Sequence, residues 1–156
     1  MGFPVYMVPS NAPNGKMALD FMRARYPEHF AAVKGRLSPF GMTYAAQSIG
    51  SAGHVDIAKM LLDELGEPIN AAGPVKGTKA KIMTSVASTL WGWQRNKNHY
   101  SLTAMLGLGH SVTAMFCAAM TSNLGALEAL LERGADVNLQ SGKRRMAPLH
   151  VAALYG

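Results

Sequence analysis

The chain has 156 residues, of which 49% are hydrophobic and 15% are charged, and this composition excludes a disordered tail and a long coiled coil. Its single cysteine excludes an internal disulfide and favours a reducing compartment, so we expect a cytoplasmic protein, with the nucleus as the alternative. Fifteen basic and nine acidic residues leave a net charge of +6, which favours an anionic partner without choosing among an acidic protein, nucleic acid and anionic lipid.

The first 42 residues match no motif that indicates a function. Their apolar spacing predicts helix from Met17 to Lys34, and Pro27 breaks this helix into two short ones because proline removes a backbone donor. Arrays of helical repeats need such segments at their ends to cover apolar surface. We therefore expect residues 1–42 to form a helical cap or extension of a stack of helices.

Two later segments share one helical pattern. Residues 53–64 and 122–133 each open with a small polar pair and then place apolar residues at the first, third, fourth, sixth, seventh and eighth positions. This spacing predicts a short amphipathic helix in each, with Leu61 and Leu130 on the buried face. Gly66 and Gly134 follow where a left-handed residue ends a helix.

A basic region separates these two segments. Residues 80–91 predict a helix, residues 94–100 a polar basic loop, and residues 101–108 another short helix. We expect residues 72–110 to be an irregular helical insertion or a diverged repeat. From residue 71 to residue 127 the chain has no acid and five basic residues, which are Lys76, Lys79, Lys81, Arg95 and Lys97.

Aromatic and basic residues alternate near the end of the predicted helix at 80–91. Trp91 and Trp93 stand close to Arg95 and Lys97, as such residues do on surfaces that bind nucleic acid or lipid. Trp91 also continues the apolar face of the helix, so packing against the stack is the preferred interpretation. Residues 101–126 lack Asp, Glu, Lys and Arg, but their polar and glycine residues favour a packed helix over a membrane span.

A second pair of similar segments lies 34 residues apart, at 113–120 and 147–154. Each begins with a residue suited to a helix start and continues into paired alanines that let a neighbouring helix approach closely. Residues 147–156 resemble the TPLHxAAxxG opening of the ankyrin-repeat family, and residues 130–138 resemble its LLxxGADVN close. The resemblance implies an all-α, ankyrin-like helix-turn-helix solenoid with an irregular helical insertion and a non-repeat N-terminal segment.

The resemblance also divides the chain. It implies an ankyrin repeat at 111–140 and the first half of a further, truncated repeat at 141–156. A degenerate repeat covers residues 43–71, aligned through Tyr44 with Thr113. We expect the full gene product to carry at least one further repeat, because the apolar terminal helix would otherwise lack a neighbour.

Members of this family bind other proteins through loop tips and the concave face of the inner helices, and have no catalytic activity of their own. The resemblance thus implies a non-catalytic scaffold or adaptor for another protein, which we expect to be acidic because three cations adjoin at the tip. The residues assigned to the partner are Ser141, Lys143, Arg144 and Arg145 at the tip and Gln47, Met120 and Thr121 on the inner helices, with Ser48, Ser51 and Cys117 as further exposed positions.

Catalytic and cofactor motifs are nearly absent from the sequence. The glycines at 107 and 109 lack the third glycine of a dinucleotide loop, and the five histidines fall at no metal-ligand spacing. Cys117 lies in an apolar helix, where a thiol is buried and inert. We expect no cofactor, metal or catalytic residue. Two alternatives to protein recognition stay open: a less favoured nucleic-acid or anionic-membrane binder acting through residues 76–100, and the ankyrin appendage of a larger enzyme.

Overall fold

The computed structural model describes residues 14–32, 35–93 and 110–155. Within these ranges every regular element is an α-helix, as the predicted all-α class requires. Extended backbone is limited there to two isolated antiparallel bridges, Met42 with Ala72 and Ser141 with Met146. The helices are α1 (Gly15–Arg25), α2 (Pro27–Ala31), α3 (Tyr44–Ala52), α4 (Val55–Asp63), α5 (Thr78–Trp93), α6 (Ala114–Met120), α7 (Leu124–Leu131) and α8 (Pro148–Tyr155).

Two helix pairs, α3 with α4 and α6 with α7, are built alike. Thr43 caps α3 by accepting a hydrogen bond from the Ala46 N–H at 3.1 Å, and Thr113 caps α6 by accepting one from the Phe116 N–H at 3.3 Å. The outer helices α4 and α7 coincide with the two segments of shared pattern. Leu61 and Leu130 are buried, as predicted.

The capping residues correct the sequence alignment by one position. Tyr44 was aligned with Thr113, but the residue that begins the first inner helix is Thr43. A short hydroxyl side chain can reach the free N–H groups of the first turn, whereas a tyrosine hydroxyl lies too far from the backbone. The inner helix α3 has nine residues and α6 has seven, which absorbs the shift before the outer helices begin.

The two pairs are direct neighbours in space. Helix α6 packs against α3 on one side and α8 on the other, and α4 packs against α7. A Cβ atom added to Gly50 of α3 would lie 3.3 Å from the Cys117 sulfur, so the inner helices are close. Among the described helices none lies between α3 and α6, although residues 72–110 separate the two pairs in the chain.

The N-terminal helices end at α4. Pro27 interrupts the helix as predicted, since α1 ends at Arg25 and α2 begins at the proline. Leu19 of α1 is fully buried, and Arg23 forms an ion pair with Glu64 just after α4. Helix α1 therefore covers one side of the first helix pair.

Helix α5 joins the core through its small residues. Ala80 and Ala87 belong to the same buried cluster as Ile49, Phe116 and Val151. The predicted loop at 94–100 and short helix at 101–108 lie outside the described residues. In the part of the chain that the structure describes, no helix is long and apolar enough to cross a bilayer.

Candidate functional site

The predicted loop tip is a tight hairpin, which we call the second hairpin (residues 141–146). Ser141 and Met146 exchange two backbone hydrogen bonds of 3.1 Å each. The Arg145 N–H closes the turn by donating to the Gly142 carbonyl at 3.1 Å, with Gly142 at φ 74° and Arg145 at φ 50°. Arg145 holds a left-handed conformation that non-glycine residues rarely adopt. The tip thus has a defined shape rather than that of a loose loop.

The second hairpin carries the three adjacent cations. Lys143, Arg144 and Arg145 are exposed, and none of them forms an ion pair with another described residue. Burial and, secondly, the charge of Lys143 lower the pKa of His110, whose Nδ1 has no hydrogen-bond partner within the described ranges. The cationic field of the hairpin therefore extends to a neutral, buried imidazole at its base.

The hairpin is fastened to the loops beside it. The Gly142 N–H donates to the Ser111 carbonyl at 2.8 Å, and the Thr113 N–H donates to the Ser141 hydroxyl at 3.4 Å. The Ser111 N–H in turn donates to the Phe40 carbonyl at 2.8 Å. Phe40 lies in the first hairpin (residues 38–42), so backbone hydrogen bonds join the two hairpins into one row.

The first hairpin lacks charge. It reads Ser-Pro-Phe-Gly-Met, and the Ser38 N–H donates to the Met42 carbonyl at 2.8 Å. Gly41 is required there, because its φ is 72° and an added Cβ would lie 1.9 Å from the Gly73 carbonyl oxygen. The cations of the row of hairpins are thus confined to residues 143–145.

Comparison with known families identifies the second helix pair. Residues 110–142, from His110 through α6 and α7 to the turn of the second hairpin, match the family model described as Ankyrin repeat. This segment is an ankyrin repeat. The comparisons with curated proteins and with solved structures found no match. The predicted membership is confirmed on the residues that build the charged hairpin.

The inner-helix positions of the ankyrin repeat are buried, which corrects the predicted site. Met120 and Thr121 were expected to be exposed, but their exposed fractions are 2% and 6%, and Cys117 is fully buried. Thr121 uses its hydroxyl to donate to the Cys117 carbonyl at 3.0 Å. Every residue of α6 is buried because α3, α7 and α8 pack around it and its alanines allow close approach. These side chains do not form an open concave surface.

The same correction holds for α3. Gln47 and Ser48 are buried, with exposed fractions of 3% and 0%, and the Ser48 hydroxyl donates to the Ala45 carbonyl at 2.9 Å. The side chain of Ser51 lies outside the described residues. Ser141 of the second hairpin is also buried, and its hydroxyl holds the start of α6. Of the predicted site, Lys143, Arg144 and Arg145 are the described residues that a partner can reach.

Sequence reasoning missed a buried carboxylate, Glu67. Its two oxygens accept hydrogen bonds from the Tyr44 N–H at 3.2 Å and the Ala45 N–H at 2.8 Å, at the start of α3. Burial raises the pKa of Glu67 to about 7, although both hydrogen bonds act to lower it. The one signal in the sequence is the extra residue in this loop, relative to the ankyrin pattern, which brings Glu67 under the helix.

The thiol of the ankyrin repeat behaves as predicted. Cys117 is fully buried, and desolvation raises its pKa to about 12, so the reactive thiolate is suppressed. Within the described ranges no group of three His, Cys, Asp or Glu residues is placed to hold a metal ion.

Proposed function

We propose that this chain is a recognition module that binds an acidic segment of another protein through the tip of the second hairpin. Ankyrin repeats in general mediate binding to other proteins, and residues 110–142 form one. The observation that carries the proposal is the set of three exposed cations, Lys143 to Arg145, on a hydrogen-bonded hairpin.

The geometry of the hairpin favours binding over simple solubility. A fixed turn loses little conformational entropy when a partner docks, so more of the contact energy is realised as affinity. Cations without acidic neighbours leave their full field available to steer an anionic partner, which mainly raises the association rate. The inner helices offer no open surface, so the tip is the better candidate on this side of the molecule.

The surrounding chain gives this tip its support. We propose residues 43–71 as a degenerate ankyrin repeat that stacks on the repeat at 111–140, with residues 141–156 opening a further one. Residues 1–42 would serve as the cap, and residues 72–110 as the insertion. The single, buried thiol favours a reducing compartment for this recognition, the cytoplasm first.

The test begins with selection of binding peptides from a displayed random library, using the full chain as bait. We expect peptides enriched in Asp and Glu. The variant K143E/R144E/R145E should bind the selected peptide with an association rate reduced at least about 10-fold at low salt, because steering is lost. Dissociation should change less. Biosensor measurements at low and high salt separate the two rates.

A matched control reverses three exposed cations elsewhere, R25E/R36E/K59E, which changes the net charge equally. This variant should retain the association rate within about threefold, since distant charges are screened over roughly 10 Å. Selection of peptides without acidic residues, or equal loss in both triple variants, would overturn the proposal. Circular dichroism of each variant verifies that the helices are retained.

A further inference from the structure

Helix α5 carries its residues the wrong way round for a helix that serves only packing. Its buried side chains are small: Ala80, Thr84 and Ala87 have exposed fractions of 8%, 4% and 6%. These three positions are spaced by four and three residues and therefore share one face. This narrow face of small residues attaches α5 to the core.

The opposite face carries the large apolar side chains. Ile82, Met83, Val86 and Leu90 have exposed fractions of 58%, 44%, 53% and 48%. At 3.6 residues per turn they fall within an arc of about 100° and form a stripe about 12 Å long. We call these four residues the apolar stripe. A soluble helix ordinarily turns such residues inward, so the apolar stripe is a candidate contact surface.

Basic residues flank the apolar stripe at the N-terminal end of α5. Lys76, Lys79 and Lys81 are exposed, and none forms an ion pair within the described residues. No acid occurs between residue 71 and residue 127 to offset them. The complement of this surface is therefore apolar in its centre and anionic at its edge.

We propose that α5 is an interfacial helix that docks the protein on an anionic lipid bilayer. The apolar stripe would enter the boundary between headgroups and acyl chains, and the three lysines would meet anionic headgroups. At 16 residues the helix is about 24 Å long, which suits a helix lying flat rather than spanning. This proposal goes beyond protein recognition and uses a surface separate from the second hairpin.

Lipid fits this surface better than the other anionic partners. Nucleic acid would meet the lysines but leave the aliphatic stripe in water, since stacking needs aromatic side chains. An acidic protein would have to supply a shaped apolar groove for a convex stripe. A bilayer provides hydrocarbon and charge in adjacent layers without a shaped pocket. This reverses the sequence-based preference, which placed lipid behind protein, because the burial pattern of α5 was not visible in the sequence.

The experiment measures binding of the full chain to sonicated vesicles of phosphatidylcholine alone and of phosphatidylcholine mixed with phosphatidylserine. Both tryptophans of the chain, at 91 and 93, fall in the last turn of α5, so intrinsic fluorescence reports on this helix. We expect co-sedimentation and a shift of emission to shorter wavelength with the anionic vesicles, and at least 10-fold weaker partitioning into the neutral ones. Binding should weaken with salt.

Two variants test the two halves of the surface. K76E/K79E/K81E should reduce partitioning into anionic vesicles by roughly 100-fold or more, at about 1 kcal/mol for each lysine near the surface. I82S/V86S should reduce it on the order of 10-fold or more, because less apolar area is removed from water. Both changes replace exposed residues, so circular dichroism should show retained helix.

Matched controls use exposed residues elsewhere. L149S/L154S removes two exposed leucines of α8, and R25E/R36E/K59E reverses three distant cations. Both should bind anionic vesicles within about threefold of the unmodified chain. Failure of the unmodified chain to bind anionic vesicles would overturn the proposal, as would equal losses in the control variants. Binding to duplex DNA or to an acidic peptide that depends on α5, without vesicle binding, would assign the surface to those partners instead.

Discussion

Arg133 and Asp63 form a bidentate ion pair that joins the two helix pairs across 70 residues of chain. The guanidinium donates from Nε to Oδ1 and from Nη2 to Oδ2, each at 2.7 Å, and a third nitrogen donates to the Ala129 carbonyl at 2.7 Å. That third bond fixes the guanidinium plane, and the Arg133 side chain is 25% exposed. Pairs held in this way are more effective than flexible surface pairs.

We expect Asp63→Asn and Arg133→Gln each to lower the free energy of unfolding by about 1 kcal/mol at low salt, and less at high salt. The double variant should lose less than the sum of the two. The hydrogen bond from Arg133 lowers the pKa of Asp63, so this stabilisation is present above the ordinary pKa and is lost as the pH falls through the folded value. Urea unfolding measures each effect. Additive losses would show that the two side chains are not coupled.

The turns between inner and outer helices give a matched pair of substitutions. Ser122 holds a left-handed conformation at φ 50°, where the equivalent residue of the first pair is Gly53 at φ 69°. Ser122→Gly should stabilise the protein by about 0.5–1 kcal/mol, because it removes the strain of a side chain in that conformation. Gly53→Ser should destabilise it by about 1 kcal/mol, since its Cβ would also lie 3.4 Å from the Asn123 amide nitrogen.

Gly125→Ala is the control for this pair of turns. Gly125 lies inside α7, so alanine there should stabilise the helix by up to about 1 kcal/mol. Thermal unfolding of the three variants should therefore give one loss and two gains. A gain from Gly53→Ser would contradict the assigned backbone conformation.

Glu67 predicts an unusual pH dependence of stability. Burial raises its pKa from the ordinary value of 4.5 to about 7, so the folded chain holds a proton that the unfolded chain has released. Stability should fall as the pH rises from 4.5 to about 7, by at most about 3 kcal/mol, and then level off. Glu67→Gln should abolish this slope while keeping an acceptor for the Ala45 N–H.

His110 acts in the opposite sense over part of that range, because burial lowers its pKa and stability falls as the histidine is protonated. The measurement is therefore the difference between the unfolding curves of the two chains at each pH. Parallel curves for the unmodified chain and Glu67→Gln would show that Glu67 stays ionised in the folded state.

Leu61→Ala and Leu130→Ala should each lower the free energy of unfolding by about 2–5 kcal/mol, because both side chains are buried between the helix pairs. Leu131 is the matched control, since it adjoins Leu130 but is 51% exposed. Leu131→Ala should cost less than about 1 kcal/mol. Equal losses at Leu130 and Leu131 would show that the face of α7 is misassigned. Chemical denaturation is the suitable measurement.

Local features were predictable and distant ones were not. Helical spacing located α4 and α7 and the burial of Leu61 and Leu130, because one helix face is encoded within a dozen residues. The exposure of Met120 and Gln47 was predicted wrongly, since burial depends on what packs on the remaining sides of a helix. Likewise, no local pattern announces that Glu67 reaches the start of α3. For the site, the sequence indicated the charged tip of the second hairpin but not the apolar stripe.

The stacking of α3 on α6 across the insertion has a kinetic consequence. Repeat arrays usually have low contact order, since each unit touches the units next to it in sequence. Here the interface joins residues such as Gly53 and Asn123, which are 70 positions apart, so a long loop must close before either pair gains its neighbour. The folding nucleus should therefore form within one helix pair, with docking of the two pairs as the slow step. Halving the intervening loop would lower the closure cost by about 0.6 kcal/mol and hasten that step.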